Sequence, residues 1–334
     1  MNQPFLHRTR TMAETIEEET LAPGAMRSSM SRGRRSPEPP DAHRTPFERD
    51  RDRILHAKAF RRLKHKTQVF MNPEGDHYVT RLTHTLKVTQ IGRSIARYLS
   101  LNEPLTEAIG LGHDVGHSPF GHTGEDALSL FVDGEWRHSD QSVRIFEVLE
   151  PLNLTWEVID GIQRHPWKVE QGPSTHEGAI VRFADRIAYL AHDAEDALRA
   201  GVLRRQDLPE EALAAFGEPG RQWIGSMITS VVDESMRTGR IAMESSRLQV
   251  MHRLRAFMFE RVYIRPEVEP QRRRAMEIVR NLVEYYCEHA DEIPESYRHP
   301  EAEPLTQVID YVAGMTDRFA IRTHDRIFRP KLFD

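Results

Sequence analysis

The chain has very little cysteine and no long apolar run, and each absence excludes a class of protein. Cys287 is the only cysteine among 334 residues, so neither an intrachain disulfide nor a cysteine-rich zinc module can form. No apolar stretch approaches the roughly 18 residues that a membrane span needs, which excludes an integral membrane protein. The N-terminus also lacks a charged-then-apolar secretion signal. We therefore expect a cytoplasmic protein without a membrane partner.

Four common catalytic signatures are absent as well. The chain contains no G-x-x-x-x-G-K-[ST] phosphate loop, no G-x-S-x-G nucleophile elbow, no H-E-x-x-H and no G-x-G-x-x-G. If this protein acts on phosphates, it must manage their negative charge without a phosphate-cradling loop. A bound metal ion is the expected substitute.

The residues that are present predict an all-α protein. Apolar residues are 39% of the chain, charged residues are 29% and the net charge is −5, which suits one large or two modest globular domains. From Pro46 onward, apolar residues recur at spacings of three and four, and strand-like alternation is scarce. This pattern predicts helices near residues 104–111, 177–200, 217–237, 242–260 and 268–291. The preceding residues, 1–45, are rich in Ser, Pro and Arg and are predicted to be disordered.

Positive charge is concentrated between Arg27 and Lys66. This basic segment holds thirteen basic and five acidic residues, although the whole chain is acidic. Such asymmetry predicts contact with phosphates, either of nucleotides or of single-stranded nucleic acid. The alternative is a solvated surface on which the basic side chains form salt bridges.

Histidine is unusually concentrated in one short stretch. His113, His117 and His122 fall within ten residues, and Asp114 follows the first of them. The Gly, Ser and Pro content after Asp114 predicts a loop at the end of a helix. Imidazole and carboxylate at a helix end suit a borderline divalent metal, but an adjacent His-Asp pair alone is a weak signal.

Two distant residues complete a candidate ligand set. His84 shares a predicted helix face with apolar residues, where its ring must be hydrogen-bonded or metal-bound, so it is either a core histidine or a ligand. Asp185 lies in an apolar helix and is either a ligand or a carboxylate paired with Arg182 or Arg186. Together with His113 and Asp114, they would leave coordination positions open for water and a phosphate.

The order of these residues resembles the metal motif of the HD-domain phosphohydrolase superfamily. Flanking motifs are similar to those of the deoxyguanosinetriphosphate triphosphohydrolase family, and most of all to its bacterial dGTPase-like branch. These motifs occupy residues 52–54, 60–63, 66–69, 75–77, 80–86, 116–122 and 184–189. The similarity is dense over residues 49–200 and looser around residues 254–260.

The resemblance implies an activity and a site. The implied reaction hydrolyses a deoxynucleoside triphosphate (dNTP) to deoxynucleoside and inorganic triphosphate by water attack at the α-phosphorus, with a role in dNTP pool control. Mn, Mg or Co is the implied cofactor. The roles implied for the matching residues are metal ligands for His84, His113, Asp114 and Asp185, acid/base catalysis for His122 and Glu125, and substrate contacts for Arg81, His117, His138, Tyr189, Asp193, Lys66 and Gln68. His165 precedes Pro166 and has either a capping or a functional role.

The resemblance also divides the chain and suggests partners. We expect a tail over residues 1–45, an HD phosphohydrolase core over 46–205 and a C-terminal helical extension over 206–334. Relatives are often oligomers, commonly hexamers, and some use an activating nucleotide. Two other functions remain open: an HD-domain nucleoside monophosphate phosphohydrolase, and a nucleic-acid-binding regulatory module that uses the basic segment.

Overall fold

The fold is all-α, as predicted. A computed structural model of the chain describes residues 7–68 and 79–330, and 68% of the structure is helical. In these ranges there is no β-strand, and extended segments pair only at the isolated bridges Arg34–Thr155 and Thr67–Thr80. The α-helices of the described ranges are α1 (Arg10–Thr20), α2 (Pro46–His56), α3 (Lys58–Arg62), α4 (Arg81–Tyr98), α5 (Glu103–Gly112), α6 (His122–Leu128), α7 (His138–Arg144), α8 (Trp156–Arg164), α9 (His176–Arg199), α10 (Glu210–Phe216), α11 (Arg221–Thr238), α12 (Ser245–Met258), α13 (Glu269–Glu288), α14 (Pro304–Ala313) and α15 (Asp317–Phe328).

The predicted helices match α5, α9, α11, α12 and α13 to within a few residues. The largest difference is at α11, which begins at Arg221 because Pro219 and Gly220 interrupt the predicted start. None of the helices in the described ranges combines the length and apolar character that crossing a membrane requires. Two motif positions, Val69 and the segment 75–77, lie outside the described residues.

Helix α9 lies at the centre of the larger of two apolar cores. Ile180, Ala184, Ile187, Ala191 and Ala194 recur at spacings of three and four along this helix and are completely buried. Helices α4, α5 and α8 pack against this helix, and α2 packs against α5. Apolar side chains of α10, α11 and α12 belong to the same core, so residues beyond 205 continue it.

A second core lies between the loop and helix that follow α5 and the last three helices. Phe120, Leu128 and Trp136 are buried together with apolar side chains of α13, α14 and α15. The end of the chain is therefore packed directly against the segment that contains the histidine cluster. The predicted division of the chain at residue 206 stays a prediction.

The expected disorder before residue 46 is wrong for the described residues 7–45. This segment begins with α1 and then lies across the N-terminal ends of α8 and α9. The buried Glu157 carboxylate accepts the Arg32 N–H at 2.7 Å, and the buried Glu177 carboxylate accepts the Met26 N–H at 3.0 Å. A buried carboxylate needs such donors, and the composition of the segment gives no sign that α8 and α9 require them.

Six of the thirteen basic residues in the basic segment form ion pairs within the described part of the chain. Arg34 pairs with Asp50 and Glu38, and the carboxylate of Glu38 also receives Arg49 and Arg53. The remaining ion pairs include those of Arg44 with Asp41 and Asp52 and of Arg51 with Asp52. The salt-bridged alternative therefore accounts for much of this charge, which leaves fewer cations to contact a nucleic acid.

Glu177 should give the protein a measurable pH-dependent stability. Burial raises the pKa of Glu177 from 4.5 to about 7. Between these values the folded protein holds a proton that the unfolded chain releases, so the free energy of unfolding falls as pH rises through this window. We expect Glu177→Gln to reduce the difference in unfolding free energy between pH 5 and pH 8 by roughly 2 kcal/mol.

The measurement is urea unfolding of both proteins at the two pH values. Glu19→Gln, an exposed substitution in α1, is the control and should unfold like the wild type at each pH. An E177Q protein with the same pH dependence as the wild type would contradict the assignment.

Candidate metal centre and active site

The histidine loop is held in place by contacts that require glycine. Gly116 donates its N–H to Ser142 Oγ at 2.9 Å, and a Cβ at this position would collide with the backbone of α7. Gly121 has a φ of +59°, which is unfavourable for most residues with a side chain. The loop therefore passes close to α7 and turns sharply before α6 begins at His122.

The four predicted metal ligands lie together. Asp185 Oδ1 is 3.0 Å from His84 Nε2 and 3.9 Å from His113 Nε2, and Asp114 Oδ1 is 3.5 Å from His113 Nε2. His84, His113 and Asp185 each place one ligand atom within 4.8 Å of the others, a grouping that can hold a metal ion. The ion pairs found for Asp185 in the described part of the chain are with these histidines, not with Arg182 or Arg186.

The ring of His113 has the chemistry of a metal ligand. Its Nδ1 is 2.7 Å from the Gly110 carbonyl oxygen and must donate its proton there. In the neutral ring the lone pair is then on Nε2, and this atom is buried with no hydrogen-bond partner among the described residues. A buried lone pair beside two carboxylates favours a cation.

Arg81 lies beside this cluster, one turn before His84. Its guanidinium donates to Asp114 Oδ2 at 2.8 Å, and both side chains are almost completely buried. Burial opposes the ionisation of Asp114, but its electrostatic interactions with His113, Arg81 and His117 outweigh it and hold the pKa of this carboxyl well below its usual range. The carboxylate is therefore charged at neutral pH.

His122 and Glu125 form a hydrogen-bonded pair at the open edge of the cluster. His122 Nδ1 is 2.6 Å from Glu125 Oε2, and the His122 side chain is 71% exposed. The other oxygen of Glu125 accepts from His138 Nδ1 at 2.6 Å. Burial raises the pKa of Glu125, but the neighbouring charges of His138, His117 and His122 outweigh this effect and hold it well below its usual range. Glu125 can therefore orient His122 with its Nε2 directed away from the carboxylate.

Comparison with known proteins identifies the family. Residues 81–190 match the HD domain, and residues 241–326 match the phosphohydrolase-associated domain. A deoxyguanosinetriphosphate triphosphohydrolase-like protein of Caldanaerobacter subterraneus subsp. tengcongensis is 47% identical over 329 residues, covering 97% of this chain and 96% of the relative. The chain belongs to the deoxyguanosinetriphosphate triphosphohydrolase-like family. Proteins of the same name from Desulfatibacillum aliphaticivorans and Clostridium perfringens are 45% and 42% identical, with 96% and 97% of this chain covered and 98% of each relative.

The candidate ligands and the His122–Glu125 pair of this triphosphohydrolase-like chain lie in one of the two matched domains. The HD match contains all four predicted metal ligands as well as His122 and Glu125. The phosphohydrolase-associated match extends from just before α12 to Arg326, near the end of α15. Side chains of these helices form part of both apolar cores. The chain is thus a phosphohydrolase of this family with a cluster that can hold a metal ion.

His117, His138 and His165 extend the histidine cluster. The ring of His117 stacks on that of His138 with centroids 3.9 Å apart, and His138 Nε2 lies 3.2 Å from His165 Nε2. Burial, together with electrostatic interactions with His113 and His138, lowers the pKa of His165 to about 3. His165 is therefore neutral, and its Nδ1 donates to the Ile162 carbonyl oxygen near the end of α8. This contact fits the capping role, and a functional role stays a prediction.

Tyr189 and Asp193 follow Asp185 along α9. Asp193 contacts Tyr263, a residue that the sequence did not indicate. The Tyr263 hydroxyl donates to Asp193 Oδ2 at 2.7 Å. Burial raises the pKa of Asp193 to about 7, while the Tyr263 hydrogen bond lowers it. Tyr263 ends a π-helical turn after α12, and no local motif connects it to α9.

Lys66 and Gln68 are less accessible than we expect for side chains that contact a phosphate. The Lys66 ammonium is buried and donates to the carbonyl oxygens of His117 and Ala313. Burial and the charge of Arg62 lower the pKa of Lys66 to about 7. Gln68 Oε1 is buried without a hydrogen-bond partner among residues 7–68 and 79–330. Substrate contacts for this pair stay predictions.

Proposed function

We propose that this chain hydrolyses deoxynucleoside triphosphates to deoxynucleoside and inorganic triphosphate, and thereby takes part in control of the dNTP pool. The observation that carries the proposal is the exposed His122 ring, fixed by Glu125 at the edge of the buried cluster of His84, His113 and Asp185. The family membership supports a nucleotide phosphohydrolase. The specific substrate and the point of bond cleavage are part of the proposal.

His84, His113, Asp114 and Asp185 would hold a divalent cation, for which we propose Mn, Mg or Co. The buried Nε2 lone pair of His113 supports this fit, as does the mixture of nitrogen and carboxylate oxygen ligands. A cation bound there supplies positive charge to phosphoryl oxygens and lowers the pKa of a bound water.

His122 supplies the proton that the leaving group needs. Water attack at the α-phosphorus releases the 5′-oxygen of the deoxynucleoside, which must be protonated to leave as an alcohol. The hydrogen bond from His122 Nδ1 to Glu125 leaves Nε2 directed toward the open edge. In the imidazolium form, Nε2 can therefore deliver a proton to this oxygen while Glu125 stabilises the charge of the ring.

Other side chains around the cluster are suited to the remaining parts of the substrate. Arg81, His117 and His138 lie beside Asp114. The Nε2 atoms of His117 and His138 are 3.3 and 3.8 Å from Asp114 Oδ1. We assign these three residues to the phosphates, and we assign Tyr189 and Asp193, one and two turns beyond Asp185 on α9, to the sugar.

The two other functions predict different behaviour. An HD nucleoside monophosphate phosphohydrolase would release inorganic phosphate from deoxynucleoside monophosphates, whereas His122 and Glu125 favour the triphosphohydrolase. A nucleic-acid-binding module would need free cations in the basic segment, and the internal ion pairs of Arg34, Arg44 and Arg51 disfavour it.

Product analysis tests the proposal. The purified protein is incubated with each deoxynucleoside triphosphate and monophosphate in the presence of Mn, Mg or Co, and the products are identified by mass. Deoxynucleoside plus intact triphosphate is the expected result. Pyrophosphate plus deoxynucleoside monophosphate, or activity confined to monophosphates, would rule the proposal out.

Tyr263→Phe should weaken substrate binding. The substitution removes the hydroxyl that donates to Asp193, so the pKa of Asp193 rises above about 7 and a larger fraction of this carboxyl is neutral at pH 7. We expect KM for the dNTP to rise about threefold to tenfold with a smaller change in kcat. Steady-state kinetics at pH 7 measure both constants.

Tyr98→Phe, in which an exposed hydroxyl is removed, is the matched control and should retain the wild-type KM. An unchanged KM in Y263F would remove Asp193 from the substrate site.

The activating nucleotide, the hexamer and the cytoplasmic location remain predictions from the sequence.

A further inference from the structure

The turn between α14 and α15 contacts the histidine loop through one buried carboxylate. Asp317 is the first residue of α15 and is 8% exposed. Its Oδ1 accepts the Phe120 N–H at 3.0 Å, and its Oδ2 accepts the Thr67 N–H at 2.9 Å and the Thr67 hydroxyl. One side chain of the C-terminal helices thus connects two segments that lie on either side of the candidate site.

Phe120 needs this support because of its backbone conformation. Its φ is +64°, a region that residues with a Cβ rarely adopt and that persists only when the surroundings fix it. The Phe120 ring is buried in the second core against residues of α13 to α15. Both the amide and the ring of Phe120 are therefore held by the C-terminal helices, two residues before His122.

The other segment leads to the metal ligands. The Thr67 carbonyl accepts from Arg81 Nε at 3.2 Å, and Arg81 in turn donates to Asp114. A parallel connection joins the end of α14 to the histidine loop, because the Lys66 ammonium bridges the carbonyls of Ala313 and His117. The start of α15 is thus linked by short paths both to Asp114 and to His122.

We propose that Asp317 is a positioning residue, which fixes the distance between the metal ligands and His122 by holding Phe120 and Thr67 at once. The inference rests on the proposed hydrolase function. It also gives the C-terminal helices a part in the reaction through Asp317, whose carboxylate binds Phe120 and Thr67. Asp317 contacts no substrate group and is not a catalytic residue.

Asp317→Asn tests the proposal with little change in volume. The asparagine amide keeps one acceptor oxygen but turns an NH₂ toward either Phe120 N–H or the Thr67 donors, so one of the two connections is lost. Because small displacements of reacting groups can cost up to about a hundredfold in rate, we expect kcat to fall about fivefold or more. KM and the metal content should stay close to those of the wild type.

Glu210→Gln is the control for charge at a helix start. Like Asp317, Glu210 is the first residue of a helix, α10. It is exposed and distant in sequence from the site residues, so E210Q should keep the wild-type kcat. A folded D317N protein whose kcat falls by less than about fivefold overturns the proposal. If D317N does not fold, Thr67→Val removes only the hydroxyl donor; a lower kcat at unchanged KM then supports the proposal, and an unchanged kcat overturns it.

Hydrogen exchange separates this proposal from the proposed function. Peptides that contain the Phe120 amide or those that contain the Thr67 amide should exchange faster in D317N than in the wild type or E210Q, since one of these two N–H groups loses its acceptor. If the wild type hydrolyses no dNTP but exchange is faster in D317N, the proposed function fails and the positioning of the loop stands. Unchanged exchange at both Phe120 and Thr67 in D317N overturns the positioning.

Discussion

His122→Ala is expected to lower kcat for dNTP hydrolysis about a thousandfold, within the usual range for loss of a general acid. The physical reason is the loss of the exposed ring that Glu125 orients at the edge of the cluster. The metal ligands do not contact His122 directly, so the bound metal should stay at the wild-type level. Steady-state kinetics and metal analysis of the same preparation give both quantities.

A second histidine serves as the control for this substitution. His56 is exposed at the end of α2, and His56→Ala should keep both the activity and the metal of the wild type. If H122A loses its metal, the loss of activity has another cause. If it retains metal and more than about a tenth of the wild-type kcat, His122 does not provide the proton.

Asp185→Asn is expected to remove both the metal and the activity. The neutral amide offers a weaker ligand and no longer balances the charge of a bound cation, so we expect substoichiometric metal and a kcat about a thousandfold lower. Asp185 is a cleaner target than Asp114. Removing the Asp114 charge would leave the buried Arg81 guanidinium unpaired, which can cost about 3–5 kcal/mol of stability.

A second aspartate provides the control for D185N. Asp233 is exposed on α11, and Asp233→Asn should bind metal and turn over substrate like the wild type. Metal content is measured after dialysis against a fixed concentration of Mn, together with kcat. A D185N protein with stoichiometric metal and kcat within about tenfold of the wild type would exclude Asp185 as a ligand.

The metal cluster could be anticipated from the sequence because each ligand stands out from its local pattern. His84 and Asp185 interrupt apolar stripes of α4 and α9, where a polar side chain requires a partner. His113 and Asp114 lie at the end of a helix that the apolar spacing also predicts. Helical periodicity therefore places each residue on the inward face of its helix. The family resemblance indicates that these residues come together in one metal site.

Contacts between distant segments could not be anticipated in this way. Tyr263 and Asp193 are 70 positions apart, and Asp317 and Phe120 are 197 positions apart. Neither pair lies within a motif, and each depends on how α12 to α15 pack against the HD core. Lys66 shows the same effect, because its ammonium is directed inward by the Ala313 carbonyl at the end of α14.

The N-terminal segment shows why composition misled the prediction. Ser, Pro and Arg are typical of disordered tails, yet backbone N–H groups of this segment donate to the carboxylates of Glu157 and Glu177. The need for these donors arises in the core helices α8 and α9. Only the packed structure shows that the segment supplies them.

Isotope labelling tests the proposed reaction most directly. The protein is incubated with a dNTP and its metal in water enriched in ¹⁸O, and the products are analysed by mass. Attack of water at the α-phosphorus predicts one ¹⁸O atom in the inorganic triphosphate and none in the deoxynucleoside. Label in the 5′-hydroxyl of the deoxynucleoside, or the release of pyrophosphate with a deoxynucleoside monophosphate, would contradict it.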